Sequence, residues 1–296
     1  MTEDKALDKI VNTLIAERKR DYRNKIIFRV IVLILFLFLL FLAPIPSKIN
    51  YSIPHIAVIE IDGVISSDAN VSAQEIIPLL QKAKTNDQCK VIFLKINSGG
   101  GSATQSKIIF DEIVKIKDNS NKKIYSIIED VGASGGYYIA MAADEIVASE
   151  TSIVGSIGVR LDSYDVRSFF NKLGIKSRTI YSGDNKLILD PFYELTSDQY
   201  EHVKKVTNQI HQQFITDLKD SRKNKLMSDN NEIFSGLFYT GIEAKELGLV
   251  DRISNMYSLK KESYDDISFQ KYNDKDNIIE QIMKSSFDYL YGLSFK

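Results

Sequence analysis

The chain has one cysteine, Cys89, only three histidines and no surplus of either charge. A single cysteine excludes an intrachain disulfide and any site built on a CxxC pair. It assigns no compartment, because many exported proteins also do without disulfides. The charges, 38 basic against 39 acidic over 296 residues, leave a formal net charge of −1. That balance gives no support for a nucleic-acid partner, since such partners select basic surfaces. Scarce histidine also narrows the catalytic bases. His55 precedes the first apolar run, while His202 and His211 sit among Lys and Gln in a polar helical stretch, where a histidine reads as solvated.

One long apolar run is present. Ile26 to Ile45 is broken only by Arg29, and Val30 to Ala43 is Val, Ile, Leu, Phe and Ala throughout. A helix of about 20 residues spans the roughly 30 Å hydrocarbon layer, so residues 26–46 are expected to form a transmembrane helix. Arg18, Lys19, Arg20, Arg23 and Lys25 precede it, and only Lys48 follows before the next strand. The positive-inside rule then puts residues 1–25 in the cytoplasm and the rest outside. A cleaved signal peptide is the rival reading. It fits less well, because the basic segment is long and Ala43-Pro44-Ile45-Pro46 is a poor cleavage site.

The remaining chain suits one main domain, 47–257, with a polar extension over 258–296. Strands are expected at Ile56–Ile61, Lys90–Ile96, Lys123–Ile128, Glu145–Ala148 and Lys176–Tyr181. Helical spacing covers Val71–Ala83, Ser102–Ile116, Asp165–Leu173 and Ser197–Asp220, with a loop over 222–232. This alternation predicts an α/β fold with a mostly parallel sheet covered by helices. Residues 258–280 are charged and poor in core residues, so they read as mobile.

Two glycine-rich turns carry the chemistry. Gly132-Ala133-Ser134-Gly135-Gly136 lies between a strand and a helix, a common way to present a serine nucleophile. The spacing matches the elbow of α/β-hydrolases, but that fold needs a late histidine on a loop, and neither late histidine is so placed. Asn97-Ser98-Gly99-Gly100-Gly101-Ser102 also joins a strand to a helix. Its glycines permit backbone N–H groups to face developing negative charge, so it reads as an oxyanion loop or as a plain tight turn. No Gly-Lys-Ser/Thr follows, which excludes a Walker motif. A lysine is the other available base. It accepts a proton only when neutral, so it needs an apolar setting. Lys186, followed by Leu187-Ile188-Leu189, is the best placed, although Asp184 nearby would favour the charged form. Tyr137 and Tyr138 read equally as pocket lining or as packing against the sheet.

Taken in order, NSGGGS, ASGGYY, GSIGV and YSGDNK closely resemble the S49 family of serine proteases, of the signal peptide peptidase A type. Thr240-Gly241 and Ala244-x-x-Leu247-Gly248-Leu249-Val250-Asp251 extend the likeness, which covers about residues 56–255. The resemblance implies a ClpP/crotonase-like fold of repeated ββα units. It implies Ser134 as nucleophile, Lys186 as general base, Ser156 as the residue orienting that lysine, and Gly100 and Gly101 as the oxyanion hole. No metal or organic cofactor is implied. Family members usually carry Pro where Gly99 stands here, so this loop is less stiff. The short form implies subunits that each carry their own serine and lysine and join as a homo-oligomer. The expected enzyme is a single-pass protein of the bacterial inner membrane, its catalytic domain on the periplasmic side. Its substrates would be signal-peptide remnants or other membrane-associated peptides. Three alternatives remain: a protease for a stomatin-type membrane partner, an acyl-CoA enzyme on a crotonase-like fold, and a non-catalytic scaffold. An exported domain would not meet CoA.

Overall fold

The structure is a computed structural model that describes residues 3–42, 53–227 and 231–273. The chain divides into two units, 1–49 and 50–296. The described residues of the first form one helix, α1 (Glu3–Leu42). Among the described residues no helix is long and apolar enough to cross a membrane. Residues 43–46 of the expected anchor lie outside the described residues.

The second unit is an eight-stranded sheet with helices on it. Its elements are β1 (His55–Asp62), α2 (Ala73–Thr85), β2 (Cys89–Ser98), α3 (Ala103–Asp118), β3 (Lys123–Ala133), α4 (Gly135–Ala140), β4 (Glu145–Ala148) and β5 (Ile153–Gly155). Then follow α5 (Arg167–Lys172), α6 (Ser197–Arg222), β6 (Phe238–Thr240), α7 (Gly241–Glu246), β7 (Arg252–Ile253), α8 (Met256–Ser263) and β8 (Ser268–Lys271). The strands run in the order β6-β5-β3-β2-β1-β8, with β4 pairing both β3 and β7. Every pairing is parallel except β5 with β6.

Strand alternation explains why both faces are covered. Ala57, Ile59 and Ile61 of β1, with Ile92, Leu94 and Ile96 of β2, enter the larger core with α2, α3 and α4. The intervening Ile56, Val58, Val91 and Phe93 form a second core with Leu259 of α8, against which Tyr264 and Phe269 pack. Successive side chains of a strand point to opposite faces. Burying one Ile or Leu is worth about 1.5–3 kcal/mol, so the two layers together stabilise the sheet from both sides. α2 and α3 start at hydroxyl caps. Ser72 accepts from the Glu75 N–H, and Ser102 from that of Gln105.

Several expectations change. Lys176–Tyr181 forms no strand; it is exposed irregular chain, with Ile180 fully exposed. Its apolar spacing has no sheet edge to pair with. The segment from 258 does not stand off as mobile chain up to 273. β8 pairs with β1 at the sheet edge, and Leu259 and Tyr272 are buried. Residues 274–280 of that expectation lie outside the described residues. The expected 222–232 loop contains one 3-10 turn, Lys223–Lys225, and the start of a second, Asn231–Phe234; its residues 228–230 lie outside the described residues. β3 runs on to Ala133, because its second half pairs with β5.

Candidate active site

Ser134 sits where β3 hands over to α4. Its backbone has φ +52° and ψ −121°, outside the comfortable range for a residue with a Cβ. Strain of this kind costs about 1–3 kcal/mol and persists only where the surroundings impose it. Here the Ser134 N–H donates to Gly155 O at 2.8 Å, and its carbonyl accepts from the Tyr138 N–H at 2.9 Å. The turn is thus fixed on both sides, and the hydroxyl makes no capping bond to α4. Bulk is excluded around it. A Cβ on Gly135 would meet Ser106 Oγ at 2.5 Å, and one on Gly136 would meet Ser98 O at 2.4 Å.

The glycine loop after β2 lies directly against this turn. A Cβ on Gly100 would fall 2.8 Å from Ser134 Cβ and 3.1 Å from its Oγ. Gly100 has φ +101° and Gly101 φ +149°, which side-chain-bearing residues rarely adopt. The Gly100 carbonyl accepts from the Ile65 N–H at 3.1 Å, and Ile65 O accepts from the Ser102 N–H at 2.8 Å. In a trans peptide the C=O and the following N–H point in opposite directions. The Gly101 N–H therefore points away from Ile65. Its nitrogen lies 3.3 Å from where a Cβ on Gly135, the residue after Ser134, would stand. The Gly100 N–H, expected as a second donor, is engaged by Ser98 Oγ at 3.1 Å. What Gly100 supplies is space beside Ser134. The Gly135 amide, 2.6 Å from the position of a Gly100 Cβ, is the neighbouring backbone donor that sequence reading did not single out.

Ser156 follows β5 and also has positive φ, +50°. Ala133 pairs with Gly155, so Ser134 and Ser156 are the next residues along adjacent parallel strands. The Ser156 N–H donates to Leu237 O at 2.7 Å. Lys186, the expected base, lies in the segment between α5 and α6. It is exposed in a turn whose backbone closes on Gly183 O. Among the described residues its side chain makes no hydrogen bond or ion pair. The apolar setting expected from Leu187-Ile188-Leu189 is absent, because those residues are themselves only half-buried.

Behind the serine the packing is dense. Tyr137 and Tyr138 are buried core residues. Burial pushes both phenols well above the usual tyrosine range, and Asp217 adds to this for Tyr138. Tyr137 donates to Leu249 O, while Tyr138 donates to Asp217 and stacks on Phe214 of α6. His211 is not merely solvated: its Nε2 lies 3.1 Å from Ile157 O, next to Ser156. His202 is exposed as expected. His55 is buried, between Ile53 O and the Tyr272 hydroxyl. Among the described residues no group of three or more His, Cys, Asp or Glu is arranged to hold a metal ion.

A serine on a strained strand-to-helix turn, with a glycine loop packed directly against it, defines a nucleophilic acyl-transfer type of site on an α/β sheet. The sequence model of Peptidase family S49 matches residues 116–267, just over half of the chain, and that of Clp protease matches residues 57–153. The chain belongs to peptidase family S49. It is similar to a Na(+)/H(+) antiporter NhaA of Brucella melitensis, 40% identical over 188 residues. That match covers 64% of this chain and 25% of the relative, so the chain spans about a quarter of that protein. It is similar to the chloroplastic serine protease SPPA of Arabidopsis thaliana, 28% identical over 187 residues, covering 63% of this chain and 27% of the relative. Among solved structures it is similar to a mutant of the 1510-N membrane-bound stomatin-specific protease, with TM-score 0.46 and 16% identity. That likeness covers 74% of this chain and 97% of the other.

Proposed function

We propose that this chain is a membrane-anchored serine endopeptidase acting on signal-peptide remnants or other membrane-associated peptides. The observation that carries the proposal is the Ser134 hydroxyl, left without a capping bond on a strained turn and backed by the Gly100-Gly101 loop. In the proposed reaction the neutral Lys186 amine takes the Ser134 proton, and Oγ attacks the peptide carbonyl carbon. The oxyanion is held by the Gly101 N–H, with the Gly135 N–H beside it. As the C–N bond breaks, the Lys186 ammonium protonates the leaving amine. Water, deprotonated by the same amine, then releases the acyl group from Ser134. Ser156, which like Ser134 directly follows the paired strand ends Ala133 and Gly155, is assigned the task of orienting the lysine. No cofactor takes part.

Lys186 belongs to residues 159–195, in which no residue is fully buried and Leu161, Tyr164, Phe169 and Ile180 are exposed. We assign that apolar surface to contact with further copies of the chain, which would also remove Lys186 from water. The anchor rests on the apolar run Val30–Ala43, whose described side chains, Val30 to Leu35, are exposed. The proposed location is the bacterial inner membrane, with the sheet domain on the periplasmic side, as the charge asymmetry favours.

The test is hydrolysis of a fluorogenic Leu/Ala-rich peptide by the detergent-solubilised full chain and by Ser134→Ala and Lys186→Ala. Each substitution is expected to lower the rate by about 10³-fold or more, with circular dichroism unchanged. Activity surviving in Ser134→Ala removes the nucleophile assignment. Activity surviving only in Lys186→Ala moves the base elsewhere, with His211 next to test. Mixing the two inactive variants restores activity only if serine and lysine meet across copies.

A further inference from the structure

The buried hydroxyl of Ser98 has no part in the reaction above, yet it touches the loop on which that reaction depends. Ser98 is the last residue of β2 and is 1% exposed. Its Oγ donates to Gly63 O at 2.6 Å and accepts from the Gly100 N–H at 3.1 Å. Gly63, at φ +90°, is itself tied back to β2 by donating its N–H to Asn97 O at 3.0 Å. The hydroxyl proton is therefore committed to Gly63, which leaves a lone pair aimed at Gly100.

We propose that Ser98 is a positioning residue: its hydroxyl holds the glycine loop so that the Gly101 amide stays turned toward Ser134. This rests on the peptidase reading. Three consecutive glycines leave each peptide plane free to rotate. Two side-on bonds remove that freedom around Gly100. Ser98 Oγ fixes the plane between Gly99 and Gly100 through its N–H. The Ile65 N–H fixes the plane between Gly100 and Gly101 through the carbonyl. That second plane also carries the Gly101 N–H, so Ile65 sets the direction of the oxyanion donor directly, and Ser98 acts on it through the adjoining plane by limiting rotation about Gly100. Gly99 contributes no side chain, and a Cβ there would meet no atom within 4 Å. In a chain with Gly at this position, the serine hydroxyl supplies the stiffness that a constrained residue would otherwise give. The plainer role for Ser98 is that of a satisfied core hydroxyl, which would affect stability alone.

The experiment compares the full chain with Ser98→Ala, and with Ser152→Ala as a control. Ser152 is also 1% exposed, and its hydroxyl bonds Ile128 O and Glu129 O, away from the loop. Two readouts are taken on folded protein: hydrogen exchange of the Gly100 amide, and kcat and KM on the fluorogenic peptide. In Ser98→Ala, exchange is expected to rise and kcat to fall by about tenfold, short of the loss on removing an oxyanion donor outright, with KM held within about twofold. Ser152→Ala is expected to leave both readouts unchanged. Exchange that does not rise in Ser98→Ala overturns the clamp. Exchange that rises with kcat intact, or an equal fall of kcat in Ser152→Ala, overturns the positioning role. A full chain that cleaves no peptide sinks the peptidase reading by itself, and the exchange rates still decide whether Ser98 holds the loop.

Discussion

Residues 159–195 and 251–273 are both polar stretches dotted with aromatic and aliphatic side chains, and they end in opposite states. The first has no strand, and its one short helix, α5, begins at Val166 with no side-chain cap. It closes on itself, through the Val166 N–H to Pro191 O, Phe170 against Phe192, and Arg167 between Asp165 and Glu194. The second supplies β7 and β8 to the sheet and α8 to its second face. Apolar content does not separate them. What separates them is an open sheet edge and an uncovered face, which reward 251–273 with backbone bonds and burial together. The charged groups follow suit: Asp251 is locked into a buried network, and Lys186 stands in solvent.

That contrast breaks most sharply at Asp251. Arg222, 2% exposed, donates to both Asp251 carboxylate oxygens and to Gly248 O. Asp251→Asn is expected to cost about 3–5 kcal/mol in urea unfolding at neutral pH, because a buried guanidinium loses its counter-charge. Burial alone would raise the Asp251 pKa, but its bonds to Arg222 and Lys225 outweigh this and hold it below the ordinary carboxylate range. A lowered folded-state pKa means that the stabilisation is complete above the unfolded value of about 3.9 and is lost as pH falls through the folded one. The gap between parent and variant should therefore narrow when unfolding is measured near pH 3. A gap independent of pH would remove Asp251 from the role of charged partner.

A smaller effect sharpens the same comparison. Leu259→Ala, in the second core, is expected to cost about 3 kcal/mol. Tyr164→Ala, in the exposed stretch, should stay within about 0.5 kcal/mol when unfolding is followed at dilute protein. Equal costs at the two sites would mean that 159–195 is as well packed as 251–273.

The local features were the legible ones. Ser134 and the run Gly99-Gly100-Gly101 announce themselves because tight turns need glycine within a few residues of sequence. The strands β1, β2 and β4 were readable because their apolar runs are continuous, as buried parallel strands require. What lay beyond the sequence depends on distant partners. Lys176–Tyr181 has strand-like spacing but no edge to pair with. Ser268–Lys271 has weak spacing and becomes β8 because β1 offers a free edge. Ser98 looked like loop text, and only the approach of Gly63, 35 residues upstream, reveals its hydroxyl as a clamp. His211 looked solvated because its acceptor, Ile157 O, is 54 residues away.

The central claim is that Ser134 is an activated nucleophile. Its most direct test is to treat the full chain with a fluorophosphonate and map the modified residue by mass spectrometry of peptides. The account predicts one adduct, on Ser134, which is abolished by Ser134→Ala and slowed by Lys186→Ala. An adduct on another serine, or none on folded protein, would contradict it.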